Sequence, residues 1–409
     1  MIMTDKIPGI SKWYYILVVL GYVATLAVAG MRPGVFAAGL MVLVAAELVV
    51  RKEAKADTLA DYIAIAYFMY QVISVIWLLA GGYPLSVFTN EFVSSTLPMI
   101  FYFVGGAAGV DTGKWYRYYL YAMLILGVTG VILYITAPQF YLDWAYRWSY
   151  ISKADAATMR VRMHSVVGST CLSFVMVAGM LAGSYFLTKH DEDASSGSAS
   201  QKGNIIFAII SMSACLLFAI MANQRSGLVA AFLVLVYVNY LLFFKLDLIP
   251  KKYFAYEIIA VLAVFFGICI VKFEFILKFW YRIISLPTAI SQRSEQWVAA
   301  VNNMYSSWIG NGLGANGHRA LGIEDAHVIA DGGLVKLYCE NGVVGFSLFA
   351  YLLFLALSGA FANIRKHYVE AGIIVIMLLQ SIGSNMLAFQ ICTPVFWFAV
   401  GRCCRNMRR

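Results

Sequence analysis

Apolar residues run through this chain in long, nearly unbroken stretches separated by short polar turns. A hydrocarbon layer roughly 30 Å thick takes about 20 helical residues to cross, and on that measure about twelve spans are expected. They fall near residues 13–31, 34–50, 59–80, 92–110, 118–137, 164–187, 205–222, 227–244, 254–275, 333–361, 370–389 and 391–402, the last being short. The pattern predicts an all-α, polytopic transmembrane helical bundle forming a single integral membrane domain over 1–409. The first run follows "MIMTDKIPGISK" and lacks a small-residue cleavage site after a brief apolar core, so it is expected to be retained as a span.

Three polar stretches interrupt the periodicity. Residues 138–163 and 272–332 form long loops on one side, and 188–204, "TKHDEDASSGSASQKGN", reads as a flexible linker on the other. No internal repeat relates the parts before and after that linker, which weakens a transporter built from two similar halves. The loop at 272–332 opens with "KFEFILKFWYRIISLP", which either prolongs the ninth span or lies in the headgroup layer until Pro287 stops it. Beyond Pro287, Trp297, Val301, Met304 and Trp308 recur at helical spacing. Arg293 lies one turn before Trp297, on the face expected to dock.

Composition agrees with the pattern: 409 residues, 62% hydrophobic and 12% charged, with a mean hydropathy of +0.77, exclude a soluble globular protein. The net charge of +9 is divided between two sides. Lys6, Lys12, Arg51, Lys52, Lys55, Lys114, Arg117, Lys189, Lys202, Lys245, Lys251, Lys252, Arg365, Lys366 and the arginines from Arg402 onward share one side, which the positive-inside bias makes cytoplasmic, with both termini. Short loops on the other side carry only Arg32 and Arg225, yet its two long loops hold Arg147, Lys153, Arg160, Arg162, Lys272, Lys278, Arg282, Arg293 and Arg319. Those cations oppose the topological bias, so they serve lipid headgroups or an anionic substrate. Nucleic acid is not expected, because the basic residues lie on two sides of a membrane. No Cys-x-x-Cys or His-x-x-x-His spacing occurs, so neither a metal nor a disulfide framework is expected.

The candidate chemistry sits on the outer side. Arg225, in the very short turn of "MANQRSGLVAAF", either snorkels to the interface or lines a polar cavity. Arg293 has a planar fork suited to a structural carboxylate or to a diphosphate. "GNGLGANG" lacks the Lys-Ser/Thr ending of a phosphate loop and reads as a helix stop and turn. At the mouth of the apolar run 333–361 stand Asp331, Lys336 and Glu340; the last two, four residues apart, can neutralise one another facing the bundle. Arg160, Arg162 and His164, in "MRVRMHS", begin the sixth span on the same side.

The order "NQRSG", "SQRSEQW", "IGNGLG" and "LVKLYCENGVVGF" over about 225–346 resembles the O-antigen polymerase and O-antigen ligase superfamily of bacterial envelope biosynthesis. The resemblance implies a glycosyltransferase C-like membrane fold. It also implies transfer of glycans carried on undecaprenyl diphosphate at the periplasmic face of the inner membrane, without a cofactor. Ligases typically carry a His-Asn pair ahead of the Glu-x-Gly-x-x-Gly pattern; here Asp331 and Gly332 stand before Glu340, Gly342 and Gly345, which resembles the polymerase branch. In that reading Arg225 and Arg293 hold the departing diphosphate. Asp331, His327, Glu324 or Asp325 accepts the hydroxyl proton, unless Asp331 only caps its helix. Arg160, Arg162, His164, His318, Arg319, Lys336 and Glu340 are candidate contacts to diphosphate or glycan. The implied partners are undecaprenyl-diphosphate-linked oligosaccharides, membrane lipids and a chain-length regulator. The alternatives are an O-antigen ligase, a peptidoglycan glycosyltransferase and, from another class, a transporter of polyprenyl-linked glycan or anionic solute.

Overall fold

A computed structural model of the chain describes residues 9–28, 32–53, 55–108, 110–147, 162–188, 198–245 and 286–405. The expected ninth span at 254–275, the loop start at 272–285 and Arg160 lie outside the described residues. The helices are α1 (Ile10–Ala24), α2 (Pro33–Val50), α3 (Leu59–Ile73), α4 (Val75–Ala80), α5 (Leu85–Glu91), α6 (Ile100–Gly106), α7 (Thr112–Thr136), α8 (Gln139–Arg147), α9 (Ser169–Thr188), α10 (Ser198–Ala222), α11 (Arg225–Tyr240), α12 (Leu286–Asn302), α13 (Gly333–Ala362), α14 (Ile364–Gly383) and α15 (Thr393–Cys404). Among the described residues there is no strand, and seven stretches are long and apolar enough to cross a membrane.

Two expectations shift. The span at 92–110 starts earlier and is broken: α5 passes through a π turn at Phe92–Thr96 and a 3-10 turn at Leu97–Met99 before α6 resumes. Pro98 has no amide to donate, so the ladder cannot run straight through it. Ser94 and Ser95 return their hydroxyls to the carbonyls of Asn90 and Glu91, and Gln390 and Thr393 donate to Val93 and Ser94. The linker at 188–204 is helical from Ser198 onward. Pro287 lies in the first turn of α12, where a missing amide costs nothing, and the segment expected to stop at it lies outside the described residues.

Burial sorts centre from periphery. In α9, 83% of the apolar stretch lies inside the bundle, against 28% in α2, whose Val35, Val42, Val49 and Val50 face outward. A helix apolar on all sides belongs at the centre, and one with exposed valines on a lipid face. The short α15 is also central, with Cys403 and Cys404 buried in it rather than in a free tail. Trp115 of α7 stacks on its Phe398 at 3.7 Å.

Contacts between helices define two ends. At the cationic end, Tyr116 donates to Glu370 at 3.0 Å, Arg402 approaches the same carboxylate at 3.8 Å, Arg117 reaches Asn204 at 2.8 Å and Tyr237 donates to the Tyr368 carbonyl at 3.0 Å. At the opposite, loop end lie the turn after α4, the segment before α9, the α10–α11 turn, residues 286–332 and the α14–α15 connection.

The loop end is organised by a break in α13. Gly342 has φ 60° and ψ −168°, outside the helical region, so the carbonyls and amides around it lose their helical partners. The glycine-rich segment replaces them. Asn311 and Gly312 amides donate to the Cys339 and Glu340 carbonyls, both at 2.9 Å, and the Val343 and Val344 amides donate to Ser307 and Trp308 at 2.8 and 3.0 Å. "GNGLGANG" is therefore buried backbone filling a broken helix, and its amides at 311 and 312 are committed to protein carbonyls rather than phosphate. Irregular backbone at membrane depth requires such replacement.

A Cβ at Gly342 would collide with the Trp308 carbonyl in a left-handed conformation that alanine disfavours. Gly342→Ala is expected to lower Tm by about 2 °C or more in detergent, from strain and clash of about 2 kcal/mol or more. Gly39→Ala, where nothing lies within 4 Å, serves as the neutral control. Equal melting of the two variants would remove the break from its structural role.

Candidate functional site

Beneath the loop end lies a buried ion cluster. Lys336, on the first turns of α13, donates to Glu91 Oε1 at 2.6 Å and to Glu340 Oε2 at 3.0 Å. Glu340 also accepts the Asn316 amide at 3.3 Å, which ties the glycine segment to the charges. The expected pairing of Lys336 with Glu340 is present and faces the bundle. Glu91 is the partner that sequence reasoning missed, because it lies far away in the chain at the end of α5. All three side chains are 7% exposed or less, so contact with a bulky diphosphate would require the cluster to open.

Above it, at the rim, Arg293 of α12 donates to Asp331 Oδ2 at 2.8 Å, with side chains 37% and 40% exposed. Trp297 donates its indole N–H to the Asp331 carbonyl at 2.6 Å, and Asn385 holds the Ile329 and Ala330 carbonyls at 2.8 and 3.1 Å. The Asp331 segment is thus fixed from two sides while its carboxylate stays accessible. Asp331 is not a helix cap; Gly332 occupies the N-cap position, with no side-chain capping bond. The docking face of α12 differs from expectation as well. Trp297 and Met304 pack around Ala300, Ile329 and Cys339, whereas α12 ends at Asn302 and leaves Val301 and Trp308 38% and 67% exposed.

A second polar face meets the rim. Helices α9 and α14 run antiparallel, with Leu181 against Gly372 and Ser184 bonded to Tyr368. Continuing both toward the loop end brings Ser173 level with Gln380 and Ser381. These three are 0 to 1% exposed, and Ser173 Oγ, both side-chain polar atoms of Gln380 and Ser381 Oγ have no hydrogen-bond partner. Gly227 abuts Ser173, and Gln224 donates to the Ser169 and Thr170 hydroxyls at 2.7 and 2.9 Å, so Arg225 opens α11 at this same level. The Arg293 guanidinium approaches Gly383, at the end of α14. Arg225 and Arg293 therefore lie toward the same end of the bundle, but Arg225 is exposed, with Gly227 rather than Arg225 facing α9, and no hydrogen bond or ion pair joins the two arginines.

The other candidates distribute around this end. His164 is buried and accepts the Ser169 amide on Nδ1 at 3.2 Å, orienting the start of α9, while Arg162 is exposed. His318 and Arg319 lie exposed on a 3-10 turn beside α5. Glu324 and Asp325 are exposed, and His327 is half-buried, its carbonyl accepting from Asn316 at 2.8 Å. Tyr83, in the turn between α4 and α5, has its phenol pushed up first by burial and then by the Glu340 and Asp325 carboxylates. Across its length the chain matches no protein-family model and no curated protein.

The buried cluster and the rim pair predict stability losses of unequal size. Lys336→Met strands two buried carboxylates and is expected to cost about 3–5 kcal/mol. Arg293→Ala removes a half-exposed pair and is expected to cost about 1 kcal/mol or less. Thermal unfolding of both variants in one detergent checks this ordering, and a reversal would show that the rim pair holds the fold.

Proposed function

We propose that this chain is a membrane glycosyltransferase of the O-antigen polymerase kind. In this reading it joins oligosaccharide repeats carried on undecaprenyl diphosphate and releases undecaprenyl diphosphate. The cationic end faces the cytoplasm, as the positive-inside bias favours. The loop end faces the periplasm of a bacterial inner membrane, where a chain-length regulator would act beside it. The observation that supports the reading is the content of the loop end: Arg225 exposed at the start of α11, Arg293 at the rim, unpartnered polar side chains buried on α9 and α14, and an accessible carboxylate at Asp331.

Glycosyl transfer from a lipid diphosphate develops negative charge on the leaving group, and fixed guanidinium groups stabilise it more as the bond breaks. Arg293 is held by Asp331 in a pair worth about 1 kcal/mol or less at this exposure. A diphosphate carries more charge than one carboxylate and competes for the fork. Its arrival would draw Arg293 away and release Asp331 to accept the proton of the attacking sugar hydroxyl. The unpartnered Gln380, Ser381 and Ser173 offer donors and acceptors of the kind that hydroxyl-rich glycans bond. A ligase or peptidoglycan glycosyltransferase would use the same face with a different acceptor. The transporter reading draws on one observation, the buried Glu91–Lys336–Glu340 cluster beside a broken helix.

Reconstitution with a purified lipid-linked repeat separates these readings. The polymerase yields a ladder of longer glycans, and Arg225→Ala and Arg293→Ala each reduce ladder formation about 100-fold while the protein stays folded. Movement of the repeat between leaflets without new bonds supports the transporter instead. Undiminished ladders from both arginine variants would end the proposed diphosphate role.

A further inference from the structure

Beside the buried ion cluster lies a cavity of about 30 Å³ with a largely apolar wall, whose polar side chains are Tyr67, Gln71, Ser95, Thr96, Lys336, Glu340 and Asn385. That is room for about one or two water-sized particles and for no sugar or diphosphate.

Two of its polar atoms are left over. The Gln71 side-chain N–H donates to Asn341 Oδ1 at 2.6 Å, and Asn341 in turn donates to the Leu337 carbonyl at 2.8 Å, so the amide orientations are fixed by the chain of bonds. Gln71 Oε1 then has no partner. Asn385 spends its N–H groups on Ile329 and Ala330, which leaves its Oδ1 without a partner as well. Both residues are buried, at 2% and 3% exposure, and both orphan atoms are acceptors. The Ser95 and Thr96 hydroxyls add oxygen lone pairs to the same wall.

Charge separates the possible occupants. With both carboxylates ionised, the cluster sets two negative charges against one ammonium, a balance that either a bound cation or a proton on Glu340 would restore, and among the described residues no other salt bridge reaches it. An excess negative charge away from water is costly. An anion would worsen it and would face acceptor oxygens. Water would supply donors but no charge. A divalent ion would overshoot the balance. Lys336 borders the cavity, but its ammonium is held by both carboxylates and is already counted.

We infer that this cavity binds a monovalent metal cation, with Gln71 Oε1, Asn385 Oδ1, the Glu340 carboxylate and the Ser95 and Thr96 hydroxyls as its hard oxygen ligands. The ion joins α3, the irregular turn after α5, α13 and the α14–α15 connection directly beneath the Arg293–Asp331 rim. The site does not depend on the glycosyl-transfer reading.

The test is thermal unfolding of the purified full chain in NaCl, KCl and choline chloride at equal ionic strength, paired with retention of radiolabelled sodium. The expected result is a saturable rise in Tm with a metal cation, about 3 °C at 100 times Kd, that choline does not produce. Glu340→Gln removes the excess charge and keeps a bonding oxygen, so it should abolish the cation-dependent rise. Should that variant fail to fold, the wild-type curves decide alone. Coincident melting in all three salts, with no sodium retained, would overturn the site and leave the cavity to water.

Discussion

The interrupted ladder of α13 is the constraint on which the loop end depends. In a membrane, carbonyls and amides released by a helix break have no water to turn to, so the protein must supply partners. Residues 307–312 supply them as backbone, and each side of the break is then anchored by side chains: Tyr70 donates to the Ile309 and Asn341 carbonyls at 3.0 and 2.8 Å, and Ser74 accepts the Leu313 amide at 3.2 Å. Asn311 and Asn316 bond one another at 2.9 Å and hold the segment in register. Because the segment is threaded between α4 and α13, Glu91, Lys336 and Glu340 meet at its floor and the rim loop starts from a fixed height.

Charge at this end comes in two grades. The buried trio forms part of the scaffold, since removing one member leaves the others uncompensated. The rim pair contributes little to folding, and that frees it to exchange partners. A group that must bind and release a ligand is better placed where its resting interaction is weak, and the half-exposed Arg293–Asp331 bridge meets that condition while Lys336 does not.

The all-helical, membrane-spanning character was legible because hydrocarbon thickness imposes a length that composition alone satisfies, although among the described residues seven stretches, against about twelve expected, are long and apolar enough to cross. The alternation of Lys and Arg was legible for the same kind of reason and corresponds to two physical ends of the bundle. The local pair Lys336–Glu340 followed from helical spacing. Glu91 did not, since its contact joins residues separated by most of the chain, and no periodicity reports such a distance. Trp308 misled because the helical phase was continued past Asn302, where the chain leaves the helix to enter the α13 break. The glycine segment read as a simple turn because its role comes from the carbonyls it meets, not from its own residues. Gln380 and Ser381 gave no signal at all; two polar residues in an apolar run show their consequence only when burial removes every partner.

Asn385 links these layers mechanically. Its N–H groups fix the Ile329 and Ala330 carbonyls just before Asp331, its oxygen has no partner, and the residue borders the cavity that Lys336 and Glu340 also line. Gly333 is pressed against the Ser384 carbonyl in the same connection, so the start of α13 cannot shift without moving that connection. Any occupant of the cavity therefore acts on the segment that carries the rim carboxylate through one side chain. The coupling is short and runs through hydrogen bonds on both sides of a single amide, so the rim carboxylate and the buried charges respond to one local arrangement rather than to motion of the whole bundle.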